Sequence, residues 1–334
     1  MRTKIENIWD TFYESDLKKF GILHRRYSVE MIPDGFIAMR FPDRTRCIAF
    51  RISCEKQKID KLNDLIEIKC EILKDETQPD KYLLVFTLLD NTLISIFAVL
   101  CEDLFQSVFR TDKEDELIQS LKNRFIKWKE LFSIAKGGGL SDELQIGLYG
   151  ELTMLKKLIE VTHKNSKSLS IWTGPEAGIR DFENGSCALE VKTSHGHNHQ
   201  KIKISSERQL DTNLLDKLFL FHLSFEKRNS SENTLNHLIE KLFSILNDDE
   251  EAKQDFKRKL HLTGWFEHQK ELYSNTSYFV RNENFYHVAN NFPRIEENEL
   301  RKGVGDLKYS IILSSDTEPY TTNLNTIIQN FDLK

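Results

Sequence analysis

Near the middle of the chain, Asp181, Glu190 and Lys192 combine residue types and spacings that could hold a hard cation with an ammonium group beside it. The turn between them sets the geometry. Asn184-Gly185 is a strong two-residue hairpin signal, and placed literally at the turn it pairs Glu183 with Ser186, Phe182 with Cys187 and Asp181 with Ala188. Side chains alternate faces along a strand, so Asp181, Ala188, Glu190 and Lys192 share one face, while Phe182, Cys187, Leu189 and Val191 share the other. In this register Asp181 and Glu190 are diagonal neighbours, roughly 7–8 Å apart at the backbone, within reach of one oxygen-seeking cation.

A third carboxylate comes from the preceding helix. Ser141 caps it and Asp142 and Glu143 fill its first turn, as the helix dipole favours. At about 100° per residue, Leu144, Leu148, Leu152, Leu155 and Ile159 define its buried stripe, and Glu151 falls inside that stripe. A carboxylate there is costly unless paired, protonated or bound to metal. Gly147 and Gly150 are placed to let this helix approach the sheet closely. The plainer alternative is three ordinary charged strand residues facing solvent, with Glu151 satisfied by an arginine.

These residues sit in a helix, strand, strand, strand, helix, strand order from Ser141 to about Phe225. Lys201–Ser205 alternates as the third strand, Ser206 with Gln209 forms a capping box predicting a helix through about Lys217, and Leu218–Phe225 has the length of a buried strand. The fold class is therefore α/β within an α+β whole. Before this core, alternating apolar residues around 48–54, 66–72 and 82–88 predict an antiparallel sheet with one wet face. Ile5, Ile8, Trp9 and Phe12 predict an amphipathic helix over the first ~25 residues, and Leu117, Leu121, Phe125, Trp128 and Phe132 a long one ending near Gly137-Gly138-Gly139. The expected organisation is a β-rich N-terminal domain (1–136), a core (137–228) and a mixed C-terminal extension packing on it (229–334).

The combination resembles the PD-(D/E)XK nuclease superfamily. Asp181 matches the family's aspartate, Glu190-Val191-Lys192 its (D/E)XK, Glu151 the acid often found on the first helix, and Gln209 a polar position some subfamilies use. Arg180 stands where the name-giving proline would be. More narrowly, Gly147-Leu148-Tyr149-Gly150-Glu151-Leu152, Trp172-Thr173-Gly174-Pro175 and Ser205-Ser206-Glu207-Arg208-Gln209-Leu210 resemble a bacterial group of PD-(D/E)XK motif proteins found in restriction and phage-defence gene clusters. The motifs cover roughly 141–225; the flanks are less specific.

The resemblance implies a restriction-endonuclease-like αβββαβ core, with a four-stranded mixed sheet flanked by helices. It also implies metal-assisted hydrolysis of DNA phosphodiesters. Asp181, Glu190, Glu151 and the carbonyl of Val191 would hold Mg²⁺, or Mn²⁺ in its place, while Lys192 orients or helps deprotonate the attacking water. Expected partners are DNA, a second copy for cutting two strands, and ATPase or methyltransferase subunits. Two alternatives stand beside this: a non-cleaving DNA-binding or assembly subunit that keeps the fold, and a Zn²⁺ site on His195, His197 and His199, whose spacing shares one strand face.

Composition sets outer limits. Hydrophobic residues make up 39% and charged residues 30% of 334, which places the chain among globular rather than disordered proteins. Leu93–Cys101 is about half the ~20 apolar residues of a membrane span, and the acids of the N-terminus oppose a signal peptide, so the expected location is the cytoplasm without membrane contact. Five cysteines without a CxxC pair favour packed thiols. With a net charge of −5, DNA must be met by local basic groups; Lys201 and Lys203, Arg208, and Lys253, Lys257, Arg258 and Lys259 are the candidates.

Overall fold

The computed structural model describes residues 4–13, 20–53, 67–176, 178–195 and 200–333. Two compact units divide the chain, Met1–Ser133 and Ile134–Lys334. In the first, α1 (Lys4–Tyr13) precedes five strands, β1 (Gly21–Arg26), β2 (Gly35–Phe41), β3 (Thr45–Ile52), β4 (Ile68–Lys74) and β5 (Tyr82–Leu88), then α2 (Ile94–Ser107) and α3 (Glu114–Lys136). The sheet runs β1-β2-β3-β5-β4, antiparallel throughout. The first helix is shorter than its periodicity predicts, since the chain is already a strand at Gly21. The expected wet face is also absent from the central strands, where Phe36, Ala38, Cys47, Ala49, Leu83 and Val85 form a second apolar cluster. The long-helix stripe is buried as its spacing predicts, and Trp128 donates its indole N–H to buried Asp103, which also pairs with Arg124.

The second unit begins with α4 (Asp142–Thr162), whose cap Ser141 accepts from the Leu144 amide, then α5 (Asn165–Ser170). Its strands are β6 (Phe182–Asn184), β7 (Cys187–His195), β8 (Lys201–Ile204) and β9 (Lys217–Asn229). After α6 (Leu235–Ile245) and α7 (Glu250–Leu262) come β10 (Thr276–His287), β11 (Tyr309–Ile312), β12 (Thr321–Thr322) and α8 (Leu324–Asn330). The principal sheet has five strands, β12-β10-β9-β7-β6, with β7 and β9 parallel and the other pairs antiparallel. The fold is mixed α+β, as the sequence predicts.

Two details of the expected αβββαβ core differ. First, β8 pairs with β11 in a separate two-stranded ribbon, while β7 pairs with β6 over Cys187–Leu189 on one edge and with β9 along the other. Ile202 and Ile204 instead pack face-on against Ala188, Leu218 and Leu220. Second, the helix predicted over 206–217 is a single 3₁₀ turn, Glu207–Gln209. Ser206 accepts from the Arg208 amide, Leu210 is buried, and Asp211 then accepts from the Asn213 amide. A run of Asp-Thr-Asn forms side-chain-to-backbone bonds that compete with helix.

On the opposite face, α4 packs against β7 within a large core that includes Leu148, Leu152, Leu155, Leu189, Val191 and Phe221. Leu144 is half exposed, so the buried stripe begins one turn later than its spacing suggests. Among the described residues Cys47, Cys70, Cys101 and Cys187 are buried free thiols; Cys54 lies outside them. No helix among the described residues is long and apolar enough to cross a membrane.

The two helix glycines have different roles. A β-carbon at Gly150 would stand 2.4 Å from Thr193 Cγ2 and 3.2 Å from Val191 Cγ1, whereas one at Gly147 meets nothing within 4 Å. Gly150→Ala should therefore destabilise by about 1–3 kcal/mol by overpacking, and Gly147→Ala should stabilise by about 0.5–1 kcal/mol through helix propensity. Denaturant melts of both variants check this. Equal shifts would contradict the close approach at Gly150.

Candidate active site

The β6–β7 hairpin positions the acids, in a register one turn position from that expected. Asn184 pairs with Cys187, Glu183 with Ala188 and Phe182 with Leu189, leaving Gly185 and Ser186 as the turn. Gly185 has φ +59°, the left-handed region that glycine enters without penalty. The displacement moves every partner by two residues, which preserves faces. Continued by one step, it sets Asp181 level with Glu190 instead of diagonal to it, so the predicted pair is brought closer.

Asp181 lies just before β6 and is held at both ends. Its carbonyl accepts from the amides of Thr173 (2.9 Å) and Gly174 (3.0 Å), and its Oδ2 accepts from the Val191 amide (2.7 Å). Glu151 reaches the same place from α4, its Oε2 accepting from the Trp172 indole N–H at 2.8 Å. Gly174 lies against both carboxylates, for a β-carbon there would be 2.8 Å from Glu151 Oε2 and 3.3 Å from Asp181 Oδ1. Glu190 is 1% exposed on β7. Lys192 Nζ lies 2.6 Å from Glu190 Oε1 and donates to Gln209 Oε1 at 3.0 Å. Glu190, Lys192 and Gln209 are thus joined by direct contacts, Glu151 and Asp181 both lie against Gly174, and the two sets interact electrostatically.

Burial strains the electrostatics of this group. Burial and the Asp181 charge raise the Glu151 carboxyl well above its ordinary value, against the opposing effects of the Trp172 hydrogen bond and Lys192. Burial also raises Asp181, opposed by Lys192 and the Val191 amide. Glu190 is pushed up to about 8 by burial and then by Asp181, with Lys192 and Arg180 pulling the other way. For Lys192, burial is outweighed by Glu190 and Asp181, so the ammonium is held above the ordinary lysine value. Of the three carboxylates, Glu190 contacts the ammonium directly and the other two act on it through space.

A divalent cation suits this group. Glu190 Oε2 is buried without a hydrogen-bond donor, the acids repel one another, and all offer the oxygen ligands that Mg²⁺ or Mn²⁺ prefer. Among the described residues, no group of three or more His, Cys, Asp or Glu side chains is placed to hold a metal ion. The Lys192 ammonium rests on one Glu190 oxygen. His195 is exposed at the end of β7, and His197 and His199 lie outside the described residues.

Of the basic candidates, Lys201 and Lys203 project outward from β8 as their alternation predicts, and Arg208 is exposed beside Glu297. The α7 cluster is different. Lys259 is buried, donating to the Trp172 carbonyl (2.6 Å) and pairing with Glu176 (3.2 Å), while Arg258 is engaged by Glu176 and Asp255. These two are internal braces for the loop bearing Trp172 and Gly174, a role that sequence spacing did not signal. Trp172 itself gave only a motif resemblance, without its bond to Glu151.

Compared with known proteins, residues 5–314 match a family model described as "Putative PD-(D/E)XK family member, (DUF4420)". No curated protein and no solved structure matches the chain.

The Glu190 environment gives a signed pH dependence. A carboxyl raised on folding favours the fold below its ordinary value, here 4.5, and loses that contribution as pH climbs towards about 8. Cation-free protein should lose thermal stability across that window. Glu190→Gln should flatten the slope and raise Tm at pH 8 by roughly 5 °C. Parallel pH profiles for the two proteins in scanning calorimetry would contradict this.

Proposed function

The chain belongs to the family with that PD-(D/E)XK description, and from this premise we propose that it is a metal-dependent DNA endonuclease that hydrolyses phosphodiester bonds. Membership supports a nuclease-type function. The observation that carries the finer reading is Glu190, a buried carboxylate with one oxygen on Lys192 and the other without a donor, beside Asp181 and Glu151.

In this proposal Asp181, Glu190, Glu151 and the Val191 carbonyl hold the cation, Mg²⁺ with Mn²⁺ as substitute. When bound it supplies positive charge for a phosphate and for the water that attacks it. The chain's own groups do the rest. The Val191 amide fixes the Asp181 carboxylate, and the Trp172 indole fixes that of Glu151. Gln209 holds the Lys192 ammonium at a defined point. Held beside Glu190 and by Gln209, Lys192 would orient the attacking water or help deprotonate it, and would stabilise charge on phosphate oxygens. Outward-facing Lys201 and Lys203 are available to the DNA backbone. The proposal extends to a cytoplasmic restriction or phage-defence setting with a second copy and ATPase or methyltransferase subunits, supported by the motif resemblance over 141–225.

Cleavage of plasmid and linear DNA with Mg²⁺ or Mn²⁺ tests the reading. Asp181→Ala and Lys192→Ala, folded by their melting curves, should each lower the rate by about 100-fold or more. Activity that survives both substitutions would overturn the site. A wild-type protein that binds DNA without cutting it would favour the non-cleaving subunit.

A further inference from the structure

We propose that Arg180 is a positioning residue, whose guanidinium holds the 208–211 turn in the shape that lets Gln209 meet Lys192. Its side chain is only 11% exposed. Nε donates to the Gln209 carbonyl (3.2 Å), and Nη2 donates to the carbonyls of Arg208 (2.9 Å) and Asp211 (2.6 Å). Nη1 lies 3.7 Å from Glu183 Oε1. One planar group thus gathers three carbonyls from four consecutive residues.

The need for such a group follows from the turn's shape. A helix from Ser206 onward would have supplied each of these carbonyls with an amide four residues later. The single 3₁₀ turn does not, and the guanidinium supplies the missing donors, to Gln209 and Asp211 in part-buried bonds and to Arg208 nearer the surface. Arginine answers with a rigid fork of donors, whereas lysine offers one point charge. Further braces act beside this stretch: Glu207 Oε2 accepts from the Leu307 amide (2.8 Å), and the Thr212 amide and hydroxyl donate to Glu296 (3.1 and 2.5 Å).

What the turn presents is specific. Gln209 Oε1 accepts both from Lys192 Nζ (3.0 Å) and from the Ser205 amide (2.9 Å), so the side chain that orients the ammonium also closes the turn. Arg180 directly precedes Asp181, and the same short segment therefore places a carboxylate on one side and secures the lysine's partner on the other. A side chain this covered and committed to carbonyls is not a surface contact for DNA. At the position where the motif's proline would stand, arginine provides the bracing that a second core helix would otherwise give.

The test compares Arg180→Met, Arg180→Lys, Gln209→Ala and the Arg180→Met/Gln209→Ala double variant in the full chain, by amide hydrogen exchange and by acylation of Lys192 read by mass spectrometry. Arg180→Met and Gln209→Ala should each speed exchange at Ser205 roughly tenfold and expose Lys192 to acylation, with the double variant no worse than either. Arg180→Lys, the milder change should Arg180→Met fail to fold, should fall between wild type and Gln209→Ala. Unchanged Ser205 protection in the folded Arg180 variants, or effects that multiply in the double variant, would overturn the proposal. The role at Lys192 rests on the nuclease reading only for its activity arm, where kcat should fall with KM for DNA unchanged. If wild type cuts no DNA, that reading fails while the exchange and acylation results still decide the clamp.

Discussion

Glu190 is an acid on a strand with neighbours on both edges, and burying its charge without full compensation costs several kcal/mol. Lys192, two residues along the same face, gives partial compensation through a 2.6 Å contact. Asp181 works the other way, adding a negative charge nearby. The surrounding elements can be understood as the apparatus that keeps these groups together despite their repulsion. The Val191 amide ties down Asp181, the Trp172 indole ties down Glu151, and Gln209 ties down the lysine. Each is a hydrogen bond with a group that is itself held by packing or by a further bond.

That apparatus comes from both faces of one sheet. On the α4 face, the absent side chain of Gly150 lets the helix sit against Thr193 and Val191, which brings Glu151 within reach of the Trp172–Gly174 loop. Lys259 braces that loop from α7 through the Trp172 carbonyl. On the other face, the β8–β11 ribbon packs over Ala188 and Leu220, and the 206–211 turn follows directly from it. Glu151 is supported from the α4 face and the lysine's partner Gln209 from the ribbon face, while Asp181 is held by the sheet's own Val191 amide.

Much of this was legible in the sequence because the signals are local and periodic. The hairpin's alternation put Asp181, Glu190 and Lys192 on one face, and a turn error displaces partners by two residues, so the face survived the wrong register. Glu151 stood inside an apolar stripe, where a charge is conspicuous. The failures share a cause as well. Lys201–Ile204 alternates like any sheet strand, and nothing local reveals that its partner is β11, about a hundred residues later. Ser206 and Gln209 have capping-box identities, but their bonds close a turn, and Gln209 serves Lys192 from afar. Lys259 read as part of a basic run available to DNA until tertiary packing gave it a carbonyl and a carboxylate. Long-range pairing decided each of these cases.

The central proposal is that Glu190 and Asp181, with Glu151, hold a divalent cation. Calorimetric titration of Mn²⁺ into the wild-type chain and into Asp181→Asn and Glu190→Gln, without DNA, tests it most directly. The account predicts saturable binding by wild type, lost or weakened at least about tenfold by either substitution, since each removes one anionic ligand. Wild-type protein that binds no Mn²⁺, or variants that bind it as tightly as wild type, would contradict the account.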